Sequence, residues 1–208
     1  MSTTEHPPMS TTDTHLIADP HLEVIARRPK RADALRNYEA LIAAAREAFA
    51  EGGTSTSLEE IARRAGVGIG TLYRHFPSRQ ELLEAVYVDE VEALCQSAQD
   101  LAELEPWDAL VAWLHRFISY IAAKQALAGA LLDYLDRDAD FFRGCRGAFY
   151  AAGEPLLARA QDAHVVREDT NISEVVQMVS GIAKIPSGDP EQIRRILDMA
   201  IDGLRYRG

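Results

Sequence analysis

The stretch AGVGIGTLYRHFPSR, Ala65–Arg79, places three glycines at alternate positions before a Tyr-Arg-His cluster. Glycines spaced in this way suggest a loop around a nucleotide phosphate, whereas arginine packed with aromatic residues suggests a nucleic-acid surface. A dinucleotide fingerprint requires G-x-G-x-x-G after a strand. Here Thr71 stands where the last glycine belongs, and a helical pattern precedes it. No Gly-Lys-Ser/Thr follows, so the stretch is not a P-loop either.

The glycines fit a helix-turn-helix instead. Gly66 can adopt the left-handed backbone conformation that ends one short helix and turns the chain. Gly68 and Gly70, at the start of the next helix, leave room for close approach by a partner's backbone. Leu72 and Phe76 lie four residues apart and are predicted to pack inward. In a helix-turn-helix the second helix enters the DNA major groove by its N-terminal end.

The residues predicted to point outward carry groups that suit DNA. Arg74 can bond two acceptors on a guanine edge, and Thr71 can touch a thymine methyl group or a phosphate. Tyr73 and His75 can donate to phosphates. Two alternatives stay open, since Tyr73 can pack partly in the core and His75 can be an ordinary surface histidine.

Further DNA contacts are predicted around this helix. Ser57 and Arg79 lie at predicted helix N-termini, where backbone N–H groups favour an anion. The basic run RRPKR, Arg27–Arg31, precedes the module, and we predict that Arg31 contacts DNA. Spacing alone leaves Ile69 ambiguous between the core and the groove.

The charge distribution supports a nucleic-acid partner although the chain has a net charge of −10. Residues 27–79 carry a net charge of +4, whereas residues 1–26 carry −4 and residues 80–208 carry −10. Phosphate attraction is local, because salt screens charges within about 10 Å at 0.1 M. We therefore predict a disordered tail with a basic arm (1–30), a helix-turn-helix domain (31–80) and a ligand-binding and dimerisation domain (81–208).

The rest of the chain reads as helix, which predicts an all-α fold. Ser57 and Ser78 each precede a Glu by three residues, the pattern of a capping box. No strand pattern or internal repeat is found. Outside the helix-turn-helix, helices are expected at about 34–52, 78–104, from Pro106, 126–135, 138–164 with an interruption near Gly153 and Pro155, 172–185 and 190–206.

Composition argues against several other classes. Cys95 and Cys145 are far apart, which excludes a CxxC metal site and a disulfide framework, and His115 and His164 lack partners at metal-ligand spacing. No signal peptide or membrane-length apolar run is present, so we expect a cytoplasmic protein without a membrane partner or cofactor. An enzyme would need a converging catalytic set. The clustered acids accompany no such set and are interpreted as a solvated turn and helix cap: Asp133, Asp136, Asp138 and Asp140.

The stretch from Tyr38 to Tyr87 resembles the TetR family of bacterial one-component transcriptional regulators. The resemblance rests on LIAAAREAFAEGG and SLEEIARRAGVGIGTLYRHFPSRQELLEAVY. It implies a homodimer with an N-terminal DNA-binding domain and a C-terminal ligand-binding and dimerisation domain. Gly68–His75 is then the recognition element, with family DNA-contacting positions at Ile69, Thr71, Tyr73, Arg74 and His75.

Two positions qualify this resemblance. Arg79 stands where the family often has a phosphate-binding lysine. Gly68 often corresponds to serine or alanine in relatives, so only its backbone N–H remains for a contact. Residues after about Leu94 match nothing common to the family, and the identity of the effector does not carry over.

The C-terminal half is expected to bind an apolar or aromatic effector and a second subunit. Its aromatics exceed what a small bundle requires, although each is equally compatible with an ordinary core; the predicted lining is Trp107, Trp113, Phe117, Tyr120, Phe142, Cys145, Phe149 and Met178. Apolar stripes on the last two helices can form a symmetric four-helix interface or complete the core of one subunit. The predicted interface is Val175, Val179, Ile193, Ile196, Leu197, Ala200, Ile201 and Leu204.

The functional prediction is a regulator, with a repressor as the expected sign. A homodimer would bind a palindromic DNA operator, and an effector in the C-terminal domain would release it through the helix from Ser78 to Leu104. The alternatives are an architectural DNA binder without an effector and, less favoured, a small-molecule-binding protein or enzyme.

Overall fold

The computed structural model describes residues 28–53, 55–135, 139–186 and 189–206. Most of the predicted disordered tail and two of the clustered acids, Asp136 and Asp138, lie outside these ranges. The described residues form helices joined by turns, with one isolated antiparallel bridge between Val166 and Arg205, which confirms the all-α prediction. The helices are α1 (Ala32–Gly52), α2 (Leu58–Arg64), α3 (Ile69–His75), α4 (Arg79–Asp100), α5 (Pro106–Leu131), α6 (Asp140–Asp162), α7 (Ile172–Ala183) and α8 (Pro190–Asp202).

Helices α1 to α3 form a small apolar unit around the side chains that the spacing placed inward. The Ser57 hydroxyl accepts the Glu60 backbone N–H at 3.2 Å and starts α2. Gly66 has φ +69°, the left-handed conformation that lets the chain turn into α3. Leu72 and Phe76 are buried against α1, where the Phe76 ring lies 5.3 Å from that of Tyr38.

Helix α4 joins this unit to the rest of the chain. The Ser78 hydroxyl accepts the Glu81 backbone N–H at 3.2 Å, and twenty-two helical residues follow. The helix packs against α1, α5 and α6. It ends at Asp100, four residues before the expected end at Leu104. Helix α4 therefore contacts both the N-terminal unit and the C-terminal helices.

Two expectations about the middle of the chain were wrong. Helix α5 runs without a break to Leu131, so the stretch expected to start at 126 is its continuation. Helix α6 passes through Gly153 and Pro155 instead of being interrupted. Pro155 removes one helical N–H, but Pro155 and Ala151 are both exposed, so water can bond the released carbonyl.

Gly153 permits the close packing of three helices. A Cβ built at this position would lie 2.7 Å from the Trp113 ring and 2.7 Å from Ile172 Cδ1. Glycine is therefore required here for contact between helices, since no larger residue leaves room for the tryptophan.

Helices α7 and α8 close the bundle. Asn171 and Glu174 cap α7 reciprocally, each side chain accepting the other residue's backbone N–H at 3.1 Å. Asp189 caps α8 by accepting the Glu191 N–H at 2.9 Å, and Pro190 follows as expected. Among the described helices, none has an apolar stretch of the length that a bilayer crossing requires.

The predicted interface stripes pack mainly inside the chain itself. Five of the eight residues are buried in its own core: Val175, Val179, Leu197, Ile201 and Leu204. Ile193, Ile196 and Ala200 are half-buried against the same core. Amphipathic spacing identified the apolar side of each helix correctly but could not say which helices of the same chain cover it. Helices α5 and α6 pack on α7, and α7 packs on α8. The alternative in which the stripes complete one subunit is the one that the structure favours.

Candidate DNA-binding surface and effector cavity

Helix α3 presents most of its side chains to solvent. Leu72 is the only residue of this helix that is buried, whereas Tyr73 keeps 46% of its surface exposed. Ile69 is 36% exposed and lies one turn before Tyr73, which resolves its ambiguity in favour of the outer face. A seven-residue helix with a tyrosine and an isoleucine facing water gains little stability from them. Their exposure is what a surface that contacts a partner would need.

The polar side chains of α3 surround this exposed pair. Arg74 is exposed, and its Nε donates to the Gly70 carbonyl at 3.2 Å. Thr71 and His75 are half-buried. The His75 ring meets Tyr38 edge-on at 6.2 Å, and its pKa is lowered, mainly by burial and also by the nearby Arg74 charge. His75 therefore joins α3 to α1.

The two glycines of α3 leave open space on this surface. Gly68 precedes the helix in an extended conformation, and Gly70 lies within the first turn. A Cβ at either position would meet nothing within 4 Å. Packing inside the chain therefore does not require glycine at these positions, which is consistent with close approach by a partner.

The remaining predicted DNA contacts have different local roles. The Ser57 hydroxyl caps α2 and is exposed at its start. Arg79 donates to the Thr56 carbonyl at 2.6 Å, and its guanidinium lies 5.9 Å from the centre of the Phe49 ring. Arg79 thus holds the turn before α2. Arg31 is exposed at the start of α1.

The arginines of α2 are already paired with carboxylates. Arg63 Nη lies 2.7 Å from Glu60, and Arg64 binds both Glu60 at 2.9 Å and Glu51 at 2.7 Å. Hydrogen bonds from these two arginines lower the pKa of Glu60 to about 2. The positive charge of α2 is thereby partly neutralised, whereas Arg74 forms no ion pair with the described residues.

A chain of ion pairs leads from the N-terminal helices into the bundle. Arg46 on α1 binds Asp89 and Glu90 of α4. Lys124 on α5 binds the same Glu90 carboxylate, with Nζ 2.8 Å from its oxygen. Arg28, within the predicted disordered arm, binds Asp89 at 3.0 Å instead of extending into solvent. Lys124, Asp89 and Glu90 are half-buried, so solvent screens their pairs less than fully exposed ones, whereas Arg28 is exposed.

Lys124 also lines a cavity of about 700 Å³ between α4, α5, α6 and α7. Aromatic side chains form its floor: Tyr87, Phe117, Tyr120, Phe149 and Tyr150. A smaller cavity of about 330 Å³ adjoins it and shares Tyr87, Phe149 and Arg146. This volume and an aromatic lining with a few polar groups are typical of small-molecule sites.

The structure places the predicted lining residues in three groups. Phe117, Tyr120 and Phe149 line the larger cavity. Phe142 and Cys145 line the smaller one together with Phe149. The other three do not line either cavity: Trp113 is fully buried and stacks on Phe117, Trp107 covers the Arg205 guanidinium at 4.0 Å, and Met178 packs half-buried on the core. Those three are core or surface residues. The prediction missed this because helical spacing does not distinguish a cavity wall from packed interior.

The cavity floor contains two phenols in an apolar setting. Burial raises the pKa of Tyr87 to about 12 and raises that of Tyr120 well above its usual value. The two phenols are neighbours, but the Tyr120 hydroxyl makes no hydrogen bond of normal geometry with the described residues. Both groups are therefore neutral hydroxyls that lie next to each other and are covered from solvent.

Sequence reasoning missed the charged groups of this region. Lys124 stands alone as a cation in a mostly apolar stretch of α5, and that isolation was a usable signal. The acids Asp89, Glu90 and Glu92 interrupt the apolar surface of α4 and were a second one. Their partners on α1 and α5 are distant in sequence, so only the packing of the helices brings them together.

Comparison with known proteins agrees with the fold and with the helix-turn-helix. Residues 41–86 match the family described as bacterial regulatory proteins, tetR family. Residues 105–206 match the C-terminal domain of SbtR-like transcriptional regulators. Among curated proteins, the chain is 33% identical over 84 residues to the HTH-type transcriptional regulator SAR0097 of Staphylococcus aureus. This match covers 39% of the chain and 44% of SAR0097, so the chain spans less than half of that relative's length.

Solved structures match over much more of the chain. The TetR transcriptional regulator SCO0520 of Streptomyces coelicolor has 41% sequence identity and a TM-score of 0.70, covering 82% of this chain and 99% of that one. A TetR regulatory protein from Mycobacterium vanbaalenii has 35% identity and a TM-score of 0.69, covering 85% and 99%. The chain therefore belongs to the TetR family of transcriptional regulators.

Proposed function

We propose that the protein is a repressor that binds a palindromic DNA operator as a homodimer through α3. The observation that carries this proposal is the outer face of α3, where Ile69, Tyr73 and Arg74 are exposed around the open glycine Gly70. Arg74 would read a guanine edge, and Thr71 would contact a thymine methyl group or a phosphate. Arg31, Ser57, Tyr73 and His75 would bind phosphates, and the Gly68 N–H would supply a backbone contact.

Arg79 has a narrower role in this proposal. Its guanidinium already donates to the Thr56 carbonyl, next to Ser57. It would orient the start of α2 towards a phosphate and contribute positive charge there.

The homodimer would pair α7 and α8 with the same helices of a second subunit. The apolar stripes of these helices are covered within the chain, so the contact would use their outer faces. Gly181 is exposed there, and a Cβ would meet nothing within 4 Å. Met199 is 66% exposed on α8. A dimer would have to hold the two α3 helices about 34–36 Å apart to enter successive major grooves.

Effector binding in the larger cavity would weaken DNA binding by a shift between two arrangements of α4. The ion pairs Lys124–Glu90 and Glu90–Arg46 connect the cavity wall to α1 and support this route. A ligand that displaced Lys124 would alter the packing of α4 on α1. A coupling free energy of about 1–3 kcal/mol corresponds to a 5- to 150-fold change in DNA affinity.

The DNA-binding part is tested by selecting binding sites from random duplex DNA with the full chain. We expect a palindrome whose half-sites are one helical turn apart. Gly181→Glu should fold normally, since the position is open and helical, but should sediment as a monomer and lose most operator affinity. Gly147→Glu, at another open glycine on α6, is the matched control. Selection of single, unpaired half-sites, or a dimeric Gly181→Glu variant, would contradict the proposed assembly.

The sign of regulation is tested with a reporter gene behind the selected operator. We expect the intact chain to lower transcription and Arg74→Ala to restore it. If the intact chain increased transcription, the protein would be an activator and not a repressor. The proposal that α3 binds DNA would still stand.

A further inference from the structure

We propose that the effector is an organic anion with an aromatic or otherwise apolar body. This inference deepens the effector part of the proposed function and rests on it. The anionic group would bind Arg146 and Lys184 at the rim of the larger cavity, and the apolar body would lie on its aromatic floor.

The charge of the cavity wall carries this assignment. Three cationic side chains line the cavity, Lys124, Arg146 and Lys184, and no aspartate or glutamate is among the described lining residues. The surrounding half of the chain has the opposite balance, because residues 80–208 contain 22 acidic and 12 basic residues. A local excess of cations on an acidic domain favours an anionic ligand.

The three cations are not equivalent. Lys124 is bound to Glu90 at 2.8 Å, so its charge is compensated. Arg146 and Lys184 form no ion pair with the described residues, and both are exposed at the rim. Arg146 is close enough to Tyr87 for its charge to favour the ionised form of that phenol. The uncompensated positive charge of Arg146 therefore lies near Tyr87, and that of Lys184 lies on the wall of the same cavity.

Polar groups beside these cations can complete the site for a carboxylate or a sulfonate. Gln177 and Ser180 on α7 line the same wall, and Tyr120 lies on the aromatic floor beside Tyr87. The Ala183 carbonyl at the end of α7 is already bonded by Gln125 at 3.1 Å, so this acceptor does not have to face the anion. Charge-assisted hydrogen bonds are stronger than neutral ones, which would give the anion an advantage over its neutral analogue.

Two fluorescent probes with one aromatic body separate charge from apolar contact. 8-Anilinonaphthalene-1-sulfonate is the anion, and N-phenyl-1-naphthylamine lacks the sulfonate. Binding of each probe is titrated by fluorescence with the full chain in the absence of DNA. We expect the double variant Arg146→Gln/Lys184→Gln to weaken binding of the anion at least tenfold and that of the neutral probe less than twofold. Higher salt should weaken binding of the anionic probe and leave binding of the neutral probe unchanged.

Two controls locate the effect. Arg143→Gln removes a cation one turn from Arg146 that is paired with Asp140 and does not line the cavity; it should leave both probes unchanged. Gly129→Phe fills the cavity from α5, where an added Cβ meets nothing within 4 Å, and should weaken both probes. The inference is overturned if the double variant weakens both probes equally, if it affects neither, or if Gly129→Phe leaves both bound.

The same titrations distinguish this inference from the proposed function. If the anion binds in the cavity as expected but does not change operator affinity, the anion site is supported. The proposal that ligands at this site release the protein from DNA is then contradicted. If operator binding behaves as proposed but the double variant binds both probes normally, the anion site is contradicted. The proposed DNA-binding function is then retained.

Discussion

The DNA-binding end and the cavity-bearing end of this molecule treat their large side chains in opposite ways. Helix α3 buries Leu72 and leaves Ile69 and Tyr73 in water. In the bundle, Trp113 and Phe117 are almost completely buried and stack with their ring centres 5.6 Å apart. Exposed apolar groups add little to folding stability, whereas buried ones dominate it. Substitutions in the two regions should therefore have separable effects, on DNA affinity at one end and on stability at the other.

The strongest test of this difference is Trp113→Ala. Truncating a fully buried aromatic side chain removes apolar contact and leaves a cavity, which we expect to cost about 3–5 kcal/mol in the free energy of unfolding. Equilibrium unfolding in urea measures this change. Tyr134→Ala is the control at an exposed aromatic and should change stability by less than about 0.5 kcal/mol. Equal losses in the two variants would contradict the division between a buried and an exposed aromatic set.

The second test is Arg74→Ala on the outer face of α3. Loss of a bidentate contact to guanine should cost about 1–3 kcal/mol in DNA binding and relax base preference at one position in each half-site. Unfolding stability should hardly change, because the side chain is exposed and bonds only the Gly70 carbonyl. Fluorescence anisotropy with the selected operator and its single-base variants measures both effects. A uniform loss over all sequences would make Arg74 a phosphate contact.

The third test uses the open glycine in α3. Gly70→Ala should raise the free energy of unfolding by about 0.5–1 kcal/mol, since alanine has the higher helix propensity and meets no atom within 4 Å. It should weaken operator binding if the DNA backbone approaches closely there. Gly147→Ala makes the same change at an open helical position on α6 and should raise stability without affecting DNA. Unchanged operator affinity in Gly70→Ala would show that no close approach occurs.

The smallest expected effect is the pH dependence that titration of His75 gives to stability and to operator affinity. Burial lowers the pKa of His75 below 6.5, so the ring is neutral at pH 7. Folding therefore favours the neutral form, and the stability contributed above pH 6.5 is lost as the pH falls through this range. A phosphate contact favours the protonated form instead, so operator affinity should rise on acidification by about 0.2–0.5 kcal/mol. His75→Asn should remove the pH dependence of operator affinity, measured between pH 7.5 and 5.5. An unchanged pH dependence in this variant would exclude His75 as its source.

The features predicted best depend on residues close together in sequence. The turn at Gly66 was predicted from a short pattern and was confirmed. Of the capping boxes predicted at Ser57 and Ser78, the bonds to the serine hydroxyls were confirmed, whereas the Glu60 and Glu81 side chains bind other partners instead of reaching back to the backbone. The inward positions of Leu72 and Phe76 followed from one helical turn and were also confirmed. The roles of the outward side chains in DNA binding stay predictions.

The features predicted poorly depend on which helices become neighbours. Trp113 was placed in a ligand cavity and is core, and the stripe through Val175 and Val179 was placed between subunits and is covered by the same chain. An apolar periodicity shows that a helix has a buried side, but it does not identify the surface that buries it. Gly153 shows the same limit, since its need for space comes from Trp113, forty residues away.

Reading the chain was sufficient for the all-helical class, the helix-turn-helix and its family, because caps, turns and helix periodicity act over a few residues. The cavity, its cationic rim at Arg146 and Lys184, and the ion pairs from Lys124 to Arg46 exist only after α1, α4, α5, α6 and α7 have packed. Contacts between residues this far apart depend on the summed packing of many side chains, which no local pattern encodes.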